Sequence, residues 1–188
     1  MSVLFVVLLA ILSRVLPVAL HQQPWNFSLL GGSLLFLGSR MVSDSPRRAA
    51  LKVFGVLAAL AATDYWLTVY GYHYAFHITG YLITWAWYAG VMIASMALFR
   101  KLSGIRVAAG VVATPTSFFL LSNFAVWVGG GMYAHTMSGL AQCYTLALPF
   151  YRNDLVSTGL TAVALFGLPV VAMRIAESFQ PADRNIAA

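Results

Sequence analysis

The chain has 188 residues, of which 61% are hydrophobic and 9% charged. Soluble domains carry about 25% charged residues, so lipid is the solvent for most of this surface and nothing is left over for a separate soluble domain. The net charge of +6 flanks apolar runs instead of forming a free basic stripe, which argues against nucleic acid, and the single Cys143 excludes an internal disulfide and any multi-cysteine zinc or iron–sulfur centre.

A membrane-crossing helix needs about 20 mostly apolar residues, and six such stretches fit. The first runs over 3–20. It lacks the basic start and small-residue cleavage site of a signal peptide and is interrupted by Arg14, so it reads as a retained span. The second covers 25–42 and the third 49–70, joined through Arg47 and Arg48 with Arg40 and Lys52 beside them. The uncharged connection Tyr70–Thr79 leads into the fourth span, 79–99. Arg100, Lys101 and Arg106 separate it from the fifth, 106–128, which Pro115 should kink; Thr114, Thr116 and Ser117 stand ready for the freed carbonyls. After Gly129-Gly130-Gly131, the stretch Ser138–Phe150 predicts a short interfacial or re-entrant helix, ended by Pro149. The sixth span covers 153–176. The expected architecture is all-α: one six-helix polytopic membrane domain over 1–176, with a short cytoplasmic tail at 177–188.

The charges orient this bundle. Arg40, Arg47, Arg48, Lys52, Arg100, Lys101, Arg106, Arg174 and Arg184 fall at one end, which the positive-inside bias assigns to the cytoplasm together with both termini. Every Trp and Tyr falls toward the other end. An interfacial belt normally marks both surfaces. Tyr81, Trp85 and Tyr88 also share a helical face that runs inward, as a pocket wall would. Small residues at spacing four, Ala86/Gly90/Ala94, Ala58/Ala62, Gly55/Ala59 and Ala109/Ala113, predict packing seams inside the bundle, docking to a partner protein being the other reading.

Arg14 lies about six residues inside the outer end of its span, at a depth where a charge costs a few kcal/mol without a partner. Asp64 and Asp154 are the candidate partners, either as a fixed ion pair or as the floor of a ligand pocket. Asn123 and Trp127 share a face of the fifth span. His73 and His77 would share a face if their segment were helical, and could then hold a transition metal, with His21 and His135 on the same side. Cys143 is a candidate soft ligand or nucleophile, although a lone buried Cys is common. No phosphate-binding G-x-x-x-x-G-K-[ST] loop is present, and no nucleophile–base pair is legible.

Ser13-Arg14-Val15-Leu16-Pro17, Pro24-Trp25-Asn26-Phe27, Thr63-Asp64 with Gly71-Tyr72-His73, Ser122-Asn123-Phe124-Ala125-Val126-Trp127, Met132-Tyr133, Cys143-Tyr144 and Leu148-Pro149-Phe150-Tyr151-Arg152-Asn153 resemble a family of uncharacterised bacterial membrane proteins. That family is similar in size and layout to the substrate-binding S components of energy-coupling-factor (ECF) transporters, which take up vitamins and metals. The resemblance implies an outward-opening cavity, with ECF transmembrane and ATPase subunits as partners. S components commonly carry an Ala-x-x-x-Ala docking seam on the first helix; here Ala10 is followed four residues on by Arg14, and Ala58/Ala62 would have to substitute.

The leading expectation is therefore a bacterial inner-membrane transport protein capturing a small nutrient, such as a vitamin, a precursor or a metal chelate. Asp64, Asn123, Arg152 and Asn153 would bind it by hydrogen bonds, Trp66, Trp85, Trp127, Tyr133 and Tyr144 would wall it, and Gly129–His135 would gate it. Arg14 would support Asp64 or Asp154. The alternatives are a metal-dependent membrane enzyme built on His73, His77 and His135, and a structural subunit of a larger membrane complex.

Overall fold

The structure is a computed structural model that describes residues 2–22 and 27–178; Trp25, Asn26, Arg184 and most of the expected tail lie outside the described residues. All regular structure among the described residues is helical: α1 Val3–Ala19, α2 Leu30–Ser39, α3 Pro46–Trp66, α4 Leu82–Leu98, α5 Gly104–Gly129, α6 Met137–Ala162 and α7 Leu168–Ser178. A π-type turn, Leu67–Gly71, prolongs α3. A 3-10 turn, Ile78–Tyr81, leads into α4, and a second π-type turn, Val163–Gly167, joins α6 to α7 in one rod. Four helical stretches, Pro46–Gly71, Ile78–Leu98, Gly104–Gly129 and Met137–Ala176, are long and apolar enough to cross a membrane.

Local chemistry sets where these helices begin. The hydroxyls of Ser2, Ser45, Ser103 and Thr136 each accept from the backbone N–H three residues on, at 3.3, 3.5, 3.4 and 3.2 Å, satisfying donors that a first helical turn cannot pair internally. Pro46 follows its cap at the position where a missing N–H costs nothing. Neighbouring helices run antiparallel. Asp64 meets Trp85 and Thr68 meets Tyr81 between α3 and the α4 region, while Thr116 meets Tyr151 and Leu120 meets Tyr144 between α5 and α6.

At the centre stands α2. The sequence predicts a membrane-spanning helix over 25–42, but α2 has only 10 residues and is buried from Leu30 to Gly38. At 1.5 Å per residue it is about 15 Å long, half of a hydrocarbon core of about 30 Å. Its neighbours are α1, α4, α5 and α6. Glycine makes this enclosure possible. A Cβ at Gly32 would strike Thr161 of α6, and one at Gly38 would strike the Met92 carbonyl and Ser95 of α4. Leu34, Leu35, Phe36 and Leu37 fill the space between, with Val6, Val56, Leu60, Val91, Met92 and Leu165 around them.

Two further expectations are corrected. Ser138–Phe150 is helical, but it is the first half of α6 and not a separate element, because the helix continues through Pro149. Proline removes one hydrogen bond and kinks a helix. Here α5 holds α6 on both sides of the proline: Tyr144 Oη donates to the Leu120 carbonyl at 2.8 Å, and Tyr151 bonds Thr116 at 2.9 Å. The Ala86/Gly90/Ala94 stripe is not a packed seam. Ala86, Gly90 and Ala94 are exposed, and a Cβ on Gly90 would meet nothing within 4 Å. On α4 the residues turned to the core are Trp87, Tyr88, Val91, Met92 and Ser95. The small side chains instead leave a lateral groove of about 580 Å³ between α4 and α5. Gly55, Ala58 and Ala62 of α3 and Ala109 and Ala113 of α5 are likewise exposed.

A paired substitution tests the role of α2. Gly38→Ala should lower the apparent melting temperature of the detergent-purified protein, at an overpacking cost of about 1–3 kcal/mol. Gly90→Ala, made where space is open, should leave it unchanged or raise it, since alanine favours helix by about 1 kcal/mol over glycine.

Candidate ligand-binding site

Beyond the N-terminal end of α2 lies a cavity of about 230 Å³. Its walls come from every layer around α2. Ser13 and Arg14 belong to α1, Ser28, Leu30 and Gly31 to the start of α2, and Asp64, Thr68 and Tyr72 to α3 and its π-type turn. Tyr81, Trp87 and Tyr88 come from the α4 side, Phe118 from α5 and Asp154 from α6.

Asp64 is 2% exposed, and both its oxygens are engaged. Arg14 Nη2 forms an ion pair with Oδ1, and Trp85 Nε1 donates to Oδ2 at 2.8 Å. The π-type turn that follows holds this arrangement in place. Thr68 Oγ1 donates to the Asp64 carbonyl at 2.7 Å and also meets the Tyr81 hydroxyl. Such turns concentrate at functional sites. Phe76, from the connection that precedes α4, packs against Tyr65, Tyr81 and Trp85 at centroid distances of 5.2, 5.0 and 6.4 Å, covering the Trp85–Asp64 contact with rings. On the other side Ser13 Oγ accepts the Leu29 N–H at 3.0 Å, which ties the lead-in of α2 to α1 at the level of Arg14.

Two groups at the cavity are not settled by the protein. Arg14 Nη1 is buried with no hydrogen-bond partner among the described residues. Asp154 lines the cavity, and among the described residues no basic side chain stands within the 4.0 Å of an ion pair with it; the ion pairs found are Arg14–Asp64 and, at the opposite end, Lys52–Asp44.

The structure gathers some of the sequence-predicted residues and scatters the rest. Arg14, Asp64 and Asp154 meet at one cavity, with Trp85 one bond behind. Asn123 lines a smaller hollow of about 100 Å³ that shares Phe118 and Asp154 with the main cavity; its amide donates to the Phe119 carbonyl at 2.7 Å. Trp127 Nε1 donates to the Ala134 carbonyl at 2.9 Å, and its ring packs on Phe124 and His135. Tyr144 is bound to Leu120, Tyr133 and Asn153 are half-buried, and Arg152 and Trp66 are exposed; none of them lines the main cavity.

His73 and His77 do not share a helical face, because the helix ends at Gly71 and His73 takes a φ of 58°. Both are exposed, and among the described residues no three His, Cys, Asp or Glu side chains group as a metal site requires. Cys143 is buried against α5, its Sγ 3.4 Å from the Asn123 carbonyl. Trp87, Phe118 and Tyr72 were not read from the sequence as cavity residues. The adjacent glycines Gly31-Gly32 inside an uncharged run were the available signal, since they mark where another backbone or a ligand comes close.

The fold and the site define a polytopic helical membrane protein that encloses a polar, aromatic-walled cavity. Residues 1–180 match the Family of unknown function (DUF6580), and the chain belongs to that family. Comparison with curated proteins and with solved structures gives no match.

Breaking a buried ion pair by removing one partner costs about 3–5 kcal/mol, whereas replacing both with apolar groups is often neutral. Arg14→Met and Asp64→Leu should each sharply reduce thermal stability in detergent. The double variant should recover most of the loss, as read from melting curves of all four proteins.

Proposed function

We propose that the protein is a substrate-binding membrane transport protein, similar to the S components of ECF transporters, that captures a small nutrient in the cavity between Arg14, Asp64 and Asp154. The observation that carries this reading is the cavity itself, where charged and aromatic side chains from five helices converge on an unfilled space. Intramembrane ionisable residues mark ligand or ion pathways by default, and aromatic walls with a few fixed polar groups are the usual composition of small-molecule sites.

Orientation supports capture from outside. The cavity lies at the end opposite Arg40, Arg47, Arg48, Lys52, Arg100, Lys101 and Arg106. The positive-inside bias then puts its mouth on the external face of a bacterial inner membrane and both termini in the cytoplasm. Its volume of about 230 Å³ falls below the roughly 300–1,000 Å³ of drug-sized sites. The ligand is therefore compact, closer to a vitamin precursor than to a large metal chelate. An energising partner of the ECF transmembrane and ATPase type would meet the lipid-exposed face of α3, where Gly55, Ala58 and Ala62 permit close helix approach.

Native mass spectrometry of freshly purified protein should reveal a co-purified molecule, lost from Asp64→Asn and Asp154→Asn; an empty wild-type protein would count against capture. Orientation is tested separately. In a Cys143→Ser background, Ser28→Cys should react with a membrane-impermeant maleimide added to the external face of intact cells. Labelling confined to the cytoplasmic face would reverse the assignment.

A further inference from the structure

We infer that the cavity takes a small organic monocation that carries an oxygen acceptor, of the amino-alcohol type, with Asp154 as its counter-charge. This rests on the reading of the cavity as a binding site and names the chemical class it accepts.

Three side chains able to carry charge face the space: Arg14, Asp64 and Asp154. Arg14 and Asp64 are in contact and cancel. The N-terminus of α2 adds a partial charge of about +0.5, which leaves the surplus negative. No basic side chain among the described residues pairs with Asp154, so a cationic ligand would supply its counter-charge. A neutral ligand would offer it none. An anion would add a second like charge.

The walls suit a cation for an independent reason. Tyr81, Trp87, Tyr88 and Phe118 are aromatic, and ring faces attract cations. Two of their polar handles are already spent: Trp87 Nε1 donates to Ser117 Oγ at 3.0 Å, and the Tyr81 hydroxyl is engaged by Thr68. Trp87 and Tyr81, with Phe118, thus offer the cavity carbon, which suits an alkylated ammonium better than a strongly hydrated anion. The oxygen follows from Arg14, which lines the cavity and whose guanidinium has more donors than Asp64 engages. A hydroxyl or carbonyl oxygen on the ligand would satisfy it; a bare tetraalkylammonium would not. A zwitterion would satisfy both groups but would leave the site with its net negative charge uncancelled.

The experiment uses the full chain in detergent and four probes of similar size: choline, tetramethylammonium, glycine betaine, and 3,3-dimethylbutan-1-ol, the neutral isostere of choline. Binding is read from tryptophan fluorescence and thermal stabilisation. Choline should bind at least tenfold more tightly than its neutral isostere, with tetramethylammonium between them and betaine weaker than choline. Asp154→Asn should erase the preference for choline over the isostere, and Asp154→Glu should retain it. Equal binding of choline and isostere by the wild-type protein, or tighter binding of betaine, overturns the inference without relying on any variant. If no probe binds, the molecule released in native mass spectrometry decides. An organic cation supports the assignment, a neutral or anionic molecule overturns the class and leaves the binding site standing, and no molecule at all overturns both.

Discussion

Lipid offers no hydrogen-bonding partners, so a helix too short to cross it must be enclosed by protein. That constraint governs α2. Its ten residues reach about halfway through a bilayer, and α1, α4, α5 and α6 pack around it. The half that α2 does not occupy cannot be filled by lipid without exposing the irregular backbone that leads into it. It becomes the cavity instead. The tight glycine contacts against α4 and α6 and the charged site beyond Leu30 are thus two consequences of the same short helix.

Placing Arg14 beside that space has its own requirements. A lone guanidinium at this depth would be expelled or would snorkel. Asp64 neutralises it from α3, and Trp85 fixes the second carboxylate oxygen from α4. Three helices are therefore tied at one point, level with the mouth of α2. The local backbone is adapted to bring them there. Pro17 interrupts the hydrogen bonding of α1 one turn beyond Ser13, and a Cβ on Gly71 would strike Val18, so the end of α3 approaches α1 closely. The ion pair adds little net stability to such an arrangement if both charges could be replaced by carbon. Arg14 keeps a second nitrogen, Nη1, that has no hydrogen-bond partner among the described residues.

Much of this was legible from residue order. Apolar runs and basic punctuation give six helices. Arg14 and the two aspartates stand out because charge in an apolar run demands a partner. Three features were hidden, each for a physical reason. The shortness of α2 was masked because a buried half-helix and a spanning one are equally apolar. Pro149 reads as a terminator in any soluble helix, and only packing on α5 carries the helix past it. Small residues at spacing four look alike whether they meet another helix or border a groove; Gly38 and Gly90 differ in what stands opposite, which no local pattern records. The aromatic residues divided along the same line. Tyr81 and Tyr88 reached the cavity through their shared face on α4, while Trp127 and Tyr144 spend their polar atoms on carbonyls of the α5–α6 hairpin.

Trp87 brings these threads together. It borders both the charged cavity and the apolar groove between α4 and α5, so at this point the wall between the two is one side chain thick. Its indole N–H is fixed to Ser117, and its ring packs on Phe118 at a centroid distance of 4.7 Å. Ser117 in turn donates to the Thr114 carbonyl at 2.9 Å, beside Pro115. The seal thus rests on the turn of α5 that holds Pro115, which has no N–H for the helix ladder. The cavity wall is held in two ways: the Arg14–Asp64 pair and Trp85 tie α1, α3 and α4, and Trp87 closes the α4–α5 side through Ser117 and Phe118.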